Sequence, residues 1–260
     1  MPEMMKAAVF EAEGVLTLKE VPVPRIERPD QVLLKVEAVS ICGTDVHMTA
    51  VPPGYIATPN TILGHEFVGE VVSVGNMVTN LQPGDRVAAN CITFCGDCWF
   101  CQQGFINNCE DGGWELGCRI DGCQAEYVRV PFADRGLTKI PDSVSDEDAL
   151  FLGDILSSGY WGAQLAEISP GDSVAVIGAG PVGMCAMQSA RLFGAGKVIA
   201  LDLSQKRLDY AMAQGLCDDV ILCGEGSVEQ QIRSLTQGRG ADAVIECAGN
   251  ADSFQTAWQI

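Results

Sequence analysis

A glycine pattern in the second half of the chain restricts its fold more than any other feature. Gly178-Ala179-Gly180-Pro181-Val182-Gly183 follows a short apolar run, Ser173–Ile177, and opens a segment, Pro181–Phe193, that carries Ala and Met at helical spacing. Glycines so spaced between a strand and a helix serve a tight turn, a close approach of backbone to ligand, and close helix–strand packing. The pattern continues with a strand at Val198–Leu201, a helix at Lys206–Ala213, and strands at Asp219–Leu222 and Ala243–Cys247 around a helix near Val228–Leu235. Strand–helix alternation of this kind predicts βαβ units on a parallel sheet, an α/β fold. The first half reads differently. Val32–Val39 alternates apolar and polar, Phe67–Val74 is a nearly continuous apolar run rich in valine, and Arg86–Ala89 follows a Pro83-Gly84-Asp85 turn. Frequent Gly and Pro between such runs predict a β barrel or sandwich. The expected domains are residues 1–155 and 156–260, with no internal repeat and no low-complexity segment.

The helix N-terminus behind the glycine loop faces negative charge, so Gly178, Gly180, Pro181, Val182 and Gly183 are candidate ligands of a dinucleotide pyrophosphate. Asp202 closes the next strand, where a carboxylate accepts from the adenosine ribose hydroxyls. It would repel a 2′-phosphate, which predicts NAD rather than NADP; Lys206 and Arg207 stand close by and weaken the preference. The alternative is a glycine-rich turn in an unrelated α/β domain, with Asp202 capping a loop.

Sixteen basic and 34 acidic residues leave a net charge of −18. Such a surface is not built to neutralise phosphates, so nucleic acid and anionic membrane are not expected partners. No apolar run approaches the roughly 18 residues that span a bilayer. Met1 to Val9 lacks the features of a signal peptide, and the expected location is the cytoplasm.

The chain has 12 cysteines and 2 histidines. Without an export signal, so many cysteines point to metal or free thiols. Cys185, Cys217, Cys223 and Cys247 lie in apolar stretches and read as buried, inert thiols. Cys95-x2-Cys98-x2-Cys101-x7-Cys109 is different: four soft ligands close together suit a closed tetrahedral zinc site in a lobe at about residues 91–110. Spacing alone does not exclude an iron–sulfur cluster, although nothing else suggests electron transfer. Cys91 could compete as a ligand but fits a strand end better.

Both histidines fall in the remaining polar concentrations of the first half, Cys42-Gly43-Thr44-Asp45-Val46-His47 and Gly64-His65-Glu66. A thiolate, an imidazole and one further Cys or carboxylate would make an open, catalytic zinc site. Asp154 is an acid in an apolar stretch, and such acids are rarely buried without a partner. Each residue also has a plainer reading, as a buried thiol, a core histidine or a helix cap.

With these motifs the sequence resembles the zinc-containing medium-chain alcohol dehydrogenases, from Lys6 to about Gly249. The resemblance rests on Ile41-Cys42-Gly43-Thr44-Asp45, Gly64-His65-Glu66, Pro83-Gly84-Asp85-Arg86-Val87, the four-cysteine lobe and the Gly178 loop. It implies a GroES-like β domain followed by a Rossmann domain, two zinc ions per chain, a nicotinamide cofactor and an alcohol or carbonyl substrate. Cys42, His65 and Asp154 would hold the catalytic zinc, and Glu66 would be the carboxylate able to exchange onto it. The implied mechanism is hydride transfer from a zinc-bound alkoxide. Thr44 would accept the hydroxyl proton, His47 would pass it to solvent by way of the cofactor ribose, and Asp45 would orient His65. Many members have cysteine where Asp154 stands. Asp154, Gly122–Tyr127 and Ser157–Tyr160 look like the bacterial secondary-alcohol branch, although several relatives with that aspartate lack the complete cysteine lobe. Polyol, threonine and formaldehyde dehydrogenases share zinc and NAD and remain alternatives, as does a zinc-binding protein without activity. Trp114 and Trp161 are candidates for lining the substrate pocket or for core packing.

A complete dinucleotide fold has about six parallel strands, and four are read here before Ile260. The expectation is therefore a Rossmann domain incomplete on its C-terminal side, in a protein that forms a homodimer or homotetramer at full length.

Overall fold

The computed structural model describes residues 2–51 and 57–260, so Met1 of the amino-terminal segment lies outside it. The chain divides into two compact units, Met1–Asp154 and Ile155–Ile260. No helix among the described residues is long and apolar enough to cross a membrane.

In the first unit, β1 (Met4–Ala12) and β2 (Val15–Pro22) form an antiparallel hairpin, and β1 also pairs with β4 (Thr61–Ile62). A second antiparallel sheet runs in the order β7-β3-β5-β6-β8. It comprises β3 (Val32–Val39), β5 (Phe67–Val74), β6 (Arg86–Ala89), β7 (Tyr127–Val130) and β8 (Leu137–Lys139). Its core gathers Val32, Leu34, Phe67, Val71, Val87 and Val128, all at most 1% exposed. Burying such a side chain contributes about 1.5–3 kcal/mol, enough for these strands to hold the loops that leave their ends. Gly69 is required where β5 crosses β3, because a Cβ there would stand 2.5 Å from the Lys35 carbonyl oxygen. Between the strands lie α1 (Gly43–Thr49), α2 (Trp99–Gln102), α3 (Ala133–Gly136) and α4 (Asp146–Leu150), and a π-helical turn covers Leu152–Leu156.

The second unit begins its regular structure with α5 (Ser157–Leu165). It continues with β9 (Ser173–Ile177), α6 (Pro181–Leu192), β10 (Lys197–Asp202), α7 (Gln205–Ala213) and β11 (Asp219–Leu222). It ends with α8 (Val228–Leu235), β12 (Ala243–Glu246) and α9 (Ala251–Ala257). The four strands make a parallel sheet in the order β11-β10-β9-β12. Every residue of β9 is buried, as expected of a strand covered on both faces. Val174 and Val176 pack with Ala186, Met187 and Leu208 of α6 and α7, whereas Ala175 and Ile177 pack with Ile232 of α8. Right-handed crossovers explain this division. The chain steps from β9 to β10 to β11 with its helices on one face, then reverses past β9 to β12 with α8 on the other. The reversal places a crevice at the carboxyl ends of β9 and β12, the usual ligand position in such sheets. This is a GroES-like β unit followed by a Rossmann-type α/β unit.

Candidate metal centres and dinucleotide site

The β3–β5 ladder ends at the pair Val39 and Phe67 and is extended by the Ser40 amide, which donates to the Glu66 carbonyl at 3.1 Å. One strand end therefore leads into Cys42 while the neighbouring strand starts from His65 and Glu66. Cys42 caps α1 in extended conformation, and its amide donates to Asp45 Oδ2 at 3.0 Å. Gly64 precedes His65 at φ +95°, and a Cβ there would stand 2.8 Å from Cys123 Sγ. Asp154 arrives from the far end of the unit. A Cβ on Gly153 would stand 1.9 Å from the Ala89 carbonyl oxygen at the end of β6, and the Cys91 amide donates to the Gly153 carbonyl at 3.3 Å.

The result is a group of Cys42, His65, Glu66 and Asp154 whose ligand atoms all lie within 4.8 Å of one another. His65 Nε2 is 3.4 Å from Asp154 Oδ2, and His65 Nδ1 is 3.7 Å from Asp45 Oδ1. His65, Glu66 and Asp45 are 2–3% exposed. Asp45 Oδ1, His65 Nδ1 and Glu66 Oε1 are buried without a hydrogen-bond partner. Buried acids with open acceptor sites are costly unless a cation compensates them. His65 reads out the same field. Burial alone would lower its pKa, but the hydrogen bonds that the imidazole donates to Asp154 and Cys42 and the charge of Asp45 outweigh it and push the imidazole up to about 10. Ligands about 2.0–2.3 Å from a tetrahedral zinc lie roughly 3.3–3.8 Å apart, so the His65–Asp154 spacing fits that ion. Asp45 stands where an acceptor would fix the His65 tautomer with Nε2 free for metal. Thr44 is half-buried and His47 exposed, three positions apart on α1.

Cys95, Cys98, Cys101 and Cys109 form the other ligand group. Cys95 Sγ lies 3.6 Å from Cys109 Sγ and 4.0 Å from Cys101 Sγ. These spacings straddle the roughly 3.8 Å between thiolates on a tetrahedral zinc and far exceed a disulfide bond. The amides of Asp97 and Cys98 point at Cys95 Sγ. Backbone donors at Glu110 and Cys101 hold the Cys98 thiol down to about 7, whereas burial pushes Cys101 up to about 12.

In the second unit a cavity of about 810 Å³ lies along Gly178, Gly180, Pro181, Asp202, Arg207 and Asn250. Gly180 caps α6, and a Cβ on it would meet nothing within 4 Å, so its open face points into ligand space. Gly183 is a packing glycine, with a Cβ position 1.7 Å from the Gly178 carbonyl oxygen. Asp202, 8% exposed, accepts from the Ala179 amide at 2.7 Å and the Ser204 amide at 2.8 Å. It thus caps the loop, and the residue also lines the cavity. Arg207 Nη1 lies 3.7 Å from Asp202 Oδ2. These residues fit a dinucleotide.

Cys91 lies just past the end of β6, in keeping with the strand-end reading, and its thiol meets Asp154, not the cysteine lobe. Burial pushes it up, with Asp154 adding to the effect. Only Cys217 of the four outlying thiols is buried; Cys185, Cys223 and Cys247 are half-buried, and the last two line the dinucleotide cavity. Trp114 packs on an apolar cluster of Phe10, Met48 and Leu63, whereas Trp161 is 62% exposed. The sequence marks neither Ser40 as a partner of Glu66 nor Cys91 as a neighbour of Asp154. The glycine beside Asp154 was the one visible signal.

Residues 28–142 match the alcohol dehydrogenase GroES-like domain and residues 181–260 the zinc-binding dehydrogenase domain. The chain is 36% identical to a medium chain reductase/dehydrogenase of Acremonium sp, over 100% of this chain and 90% of that protein. It is 38% identical to the NADP-dependent isopropanol dehydrogenase of Thermoanaerobacter brockii, over 93% of this chain and 68% of that one. Among solved structures, zinc dependent alcohol dehydrogenase 2 from Streptococcus pneumonia superposes with a TM-score of 0.91 at 37% identity, covering 98% of this chain and 72% of that chain. The chain belongs to the zinc-containing medium-chain alcohol dehydrogenases, oxidoreductases that use a nicotinamide cofactor.

Proposed function

We propose that this chain moves hydride reversibly between a secondary alcohol and NAD, with one zinc at Cys42, His65 and Asp154 and a second in the cysteine lobe. The observation that carries the reading is the convergence of Cys42, His65, Glu66 and Asp154 on one point. When bound, the zinc supplies Lewis acidity toward the alcohol oxygen and the nicotinamide takes the hydride. The chain's own residues do the rest. Asp45 holds His65 in the ligating tautomer, Thr44 Oγ1 accepts the substrate's hydroxyl proton, and His47 delivers it to solvent from the exposed side of α1. Glu66 supplies a carboxylate beside the position the substrate oxygen takes.

The buried Asp202 carboxylate supports NAD over NADP through its repulsion of a 2′-phosphate. A secondary alcohol is supported by Asp154 in place of a second thiolate and by the isopropanol dehydrogenase relative. The test is zinc per chain after removal of loose metal, followed by a panel of secondary alcohols with NAD and NADP. About two zincs are expected, one lost on Cys42→Ser and the other on Cys98→Ser. A single zinc that only Cys98→Ser removes would leave a lobe without a catalytic centre and end the reading.

A further inference from the structure

Glu66 is 2% exposed, yet only one of its carboxylate oxygens has a hydrogen-bond partner. Ser40 Oγ donates to Oε2, and the Ser40 amide donates to the carbonyl of the same residue. Oε1 is left buried and unpartnered, and the Glu66 carboxylate belongs to the ligand group of Cys42, His65 and Asp154. The two residues stand opposite each other directly beyond the β3–β5 ladder, so backbone pairing fixes this geometry.

We propose that Ser40 is a positioning residue that acts through Glu66: its hydroxyl ties down Oε2, offers Oε1 alone to the metal, and so sets how readily an outside ligand displaces the carboxylate. The inference rests on the metal centre proposed above. A carboxylate near a metal binds through one oxygen, through both, or stands off. With Oε2 held by a hydroxyl, chelation through both oxygens is closed. Without it, a buried, charged oxygen has lost its donor, and the nearest compensating charge is the metal. Glu66 then chelates and competes more strongly for the position that substrate needs.

The test uses cobalt in place of zinc, with the Cys42→Ser protein as the blank that subtracts the cysteine lobe. Imidazole is titrated as a neutral probe of the open position while the visible bands are followed. Ser40→Ala is expected to change the bands and weaken imidazole binding about tenfold, the scale of a hydrogen bond to a charged group. Ser40→Thr keeps the hydroxyl and is expected to behave as the parent. In a Glu66→Gln background, Ser40→Ala is expected to have little further effect, because its route of action is gone. If Ser40→Ala does not fold, Ser40→Gly removes the same hydroxyl and is read in the same way. Unchanged bands and affinity at equal cobalt content would overturn the proposal. So would loss of cobalt from folded Ser40→Ala, or an equal effect with and without Glu66. A parent protein with no Cys42-dependent cobalt bands would instead refute the metal centre itself.

Discussion

The placement of Asp154 depends on a contact that admits no side chain, and Gly153→Ala tests it. The added Cβ would stand 1.9 Å from the Ala89 carbonyl oxygen, whereas real Cβ contacts are essentially never under 3.0 Å. The two backbones must therefore part by roughly 1 Å. Ala89 cannot yield easily, because it pairs with Leu137 across β6 and β8 and the Asn90 amide donates to the Gly136 carbonyl at 2.8 Å. The displacement falls on Gly153 and Asp154. Metal sites tolerate about 0.2 Å in ligand distance, so Asp154 would leave the proposed coordination sphere. Overpacking of this kind costs about 1–3 kcal/mol of stability. Altering a partner of a ligand already costs about 10–100-fold in metal affinity, so losing the ligand's position should cost at least about 100-fold. Competition with a chromogenic chelator measures it: one zinc should leave easily while the lobe keeps the other. Gly136→Ala is the control, since a Cβ there meets nothing within 4 Å. If Gly153→Ala kept both metals at parental affinity, the packing argument for Asp154 would be wrong.

Thr44→Val should hold both metals and lose most turnover with the alcohol; unchanged turnover would remove Thr44 from the proton path. Asp202→Asn keeps the shape and discards the charge, and should move the ratio of kcat/KM for NAD over NADP toward NADP by at least about tenfold. Asp134 accepts from the Thr79 amide, the Thr79 hydroxyl and the Asn80 amide at 2.7–3.0 Å. Partial burial raises its pKa, but these donors together lower it below the ordinary value. Its stabilising contribution is thus complete above the usual aspartate pKa of about 3.9 and is lost as pH falls through the lowered folded value. Urea unfolding from pH 6 to pH 3 should show a smaller loss of stability in Asp134→Asn than in the parent.

What the sequence alone determined is what local chemistry specifies. Val32–Val39, Phe67–Val74, Arg86–Ala89 and Ser173–Ile177 are strands over the spans their apolar patterns predict, because burial on one or both faces writes itself into neighbouring residues. The cysteine lobe and the glycine loop were legible for the same reason, with all their working parts inside one short segment. The hairpin of β1 and β2 was not read. Most of β2 is exposed and carries no buried alternation to betray it.

The tertiary structure alone decided the neighbourhood of the proposed metal centre. Ser40 meets Glu66 across 26 positions of sequence, and Cys91 meets Asp154 only because the end of β6 lies against the π-helical turn. Asp202 likewise caps the glycine loop and lines the neighbouring cavity at once. Strand pairing brings such residues together, and pairing is set by burial and register summed over a whole sheet. No short stretch of residues carries that sum.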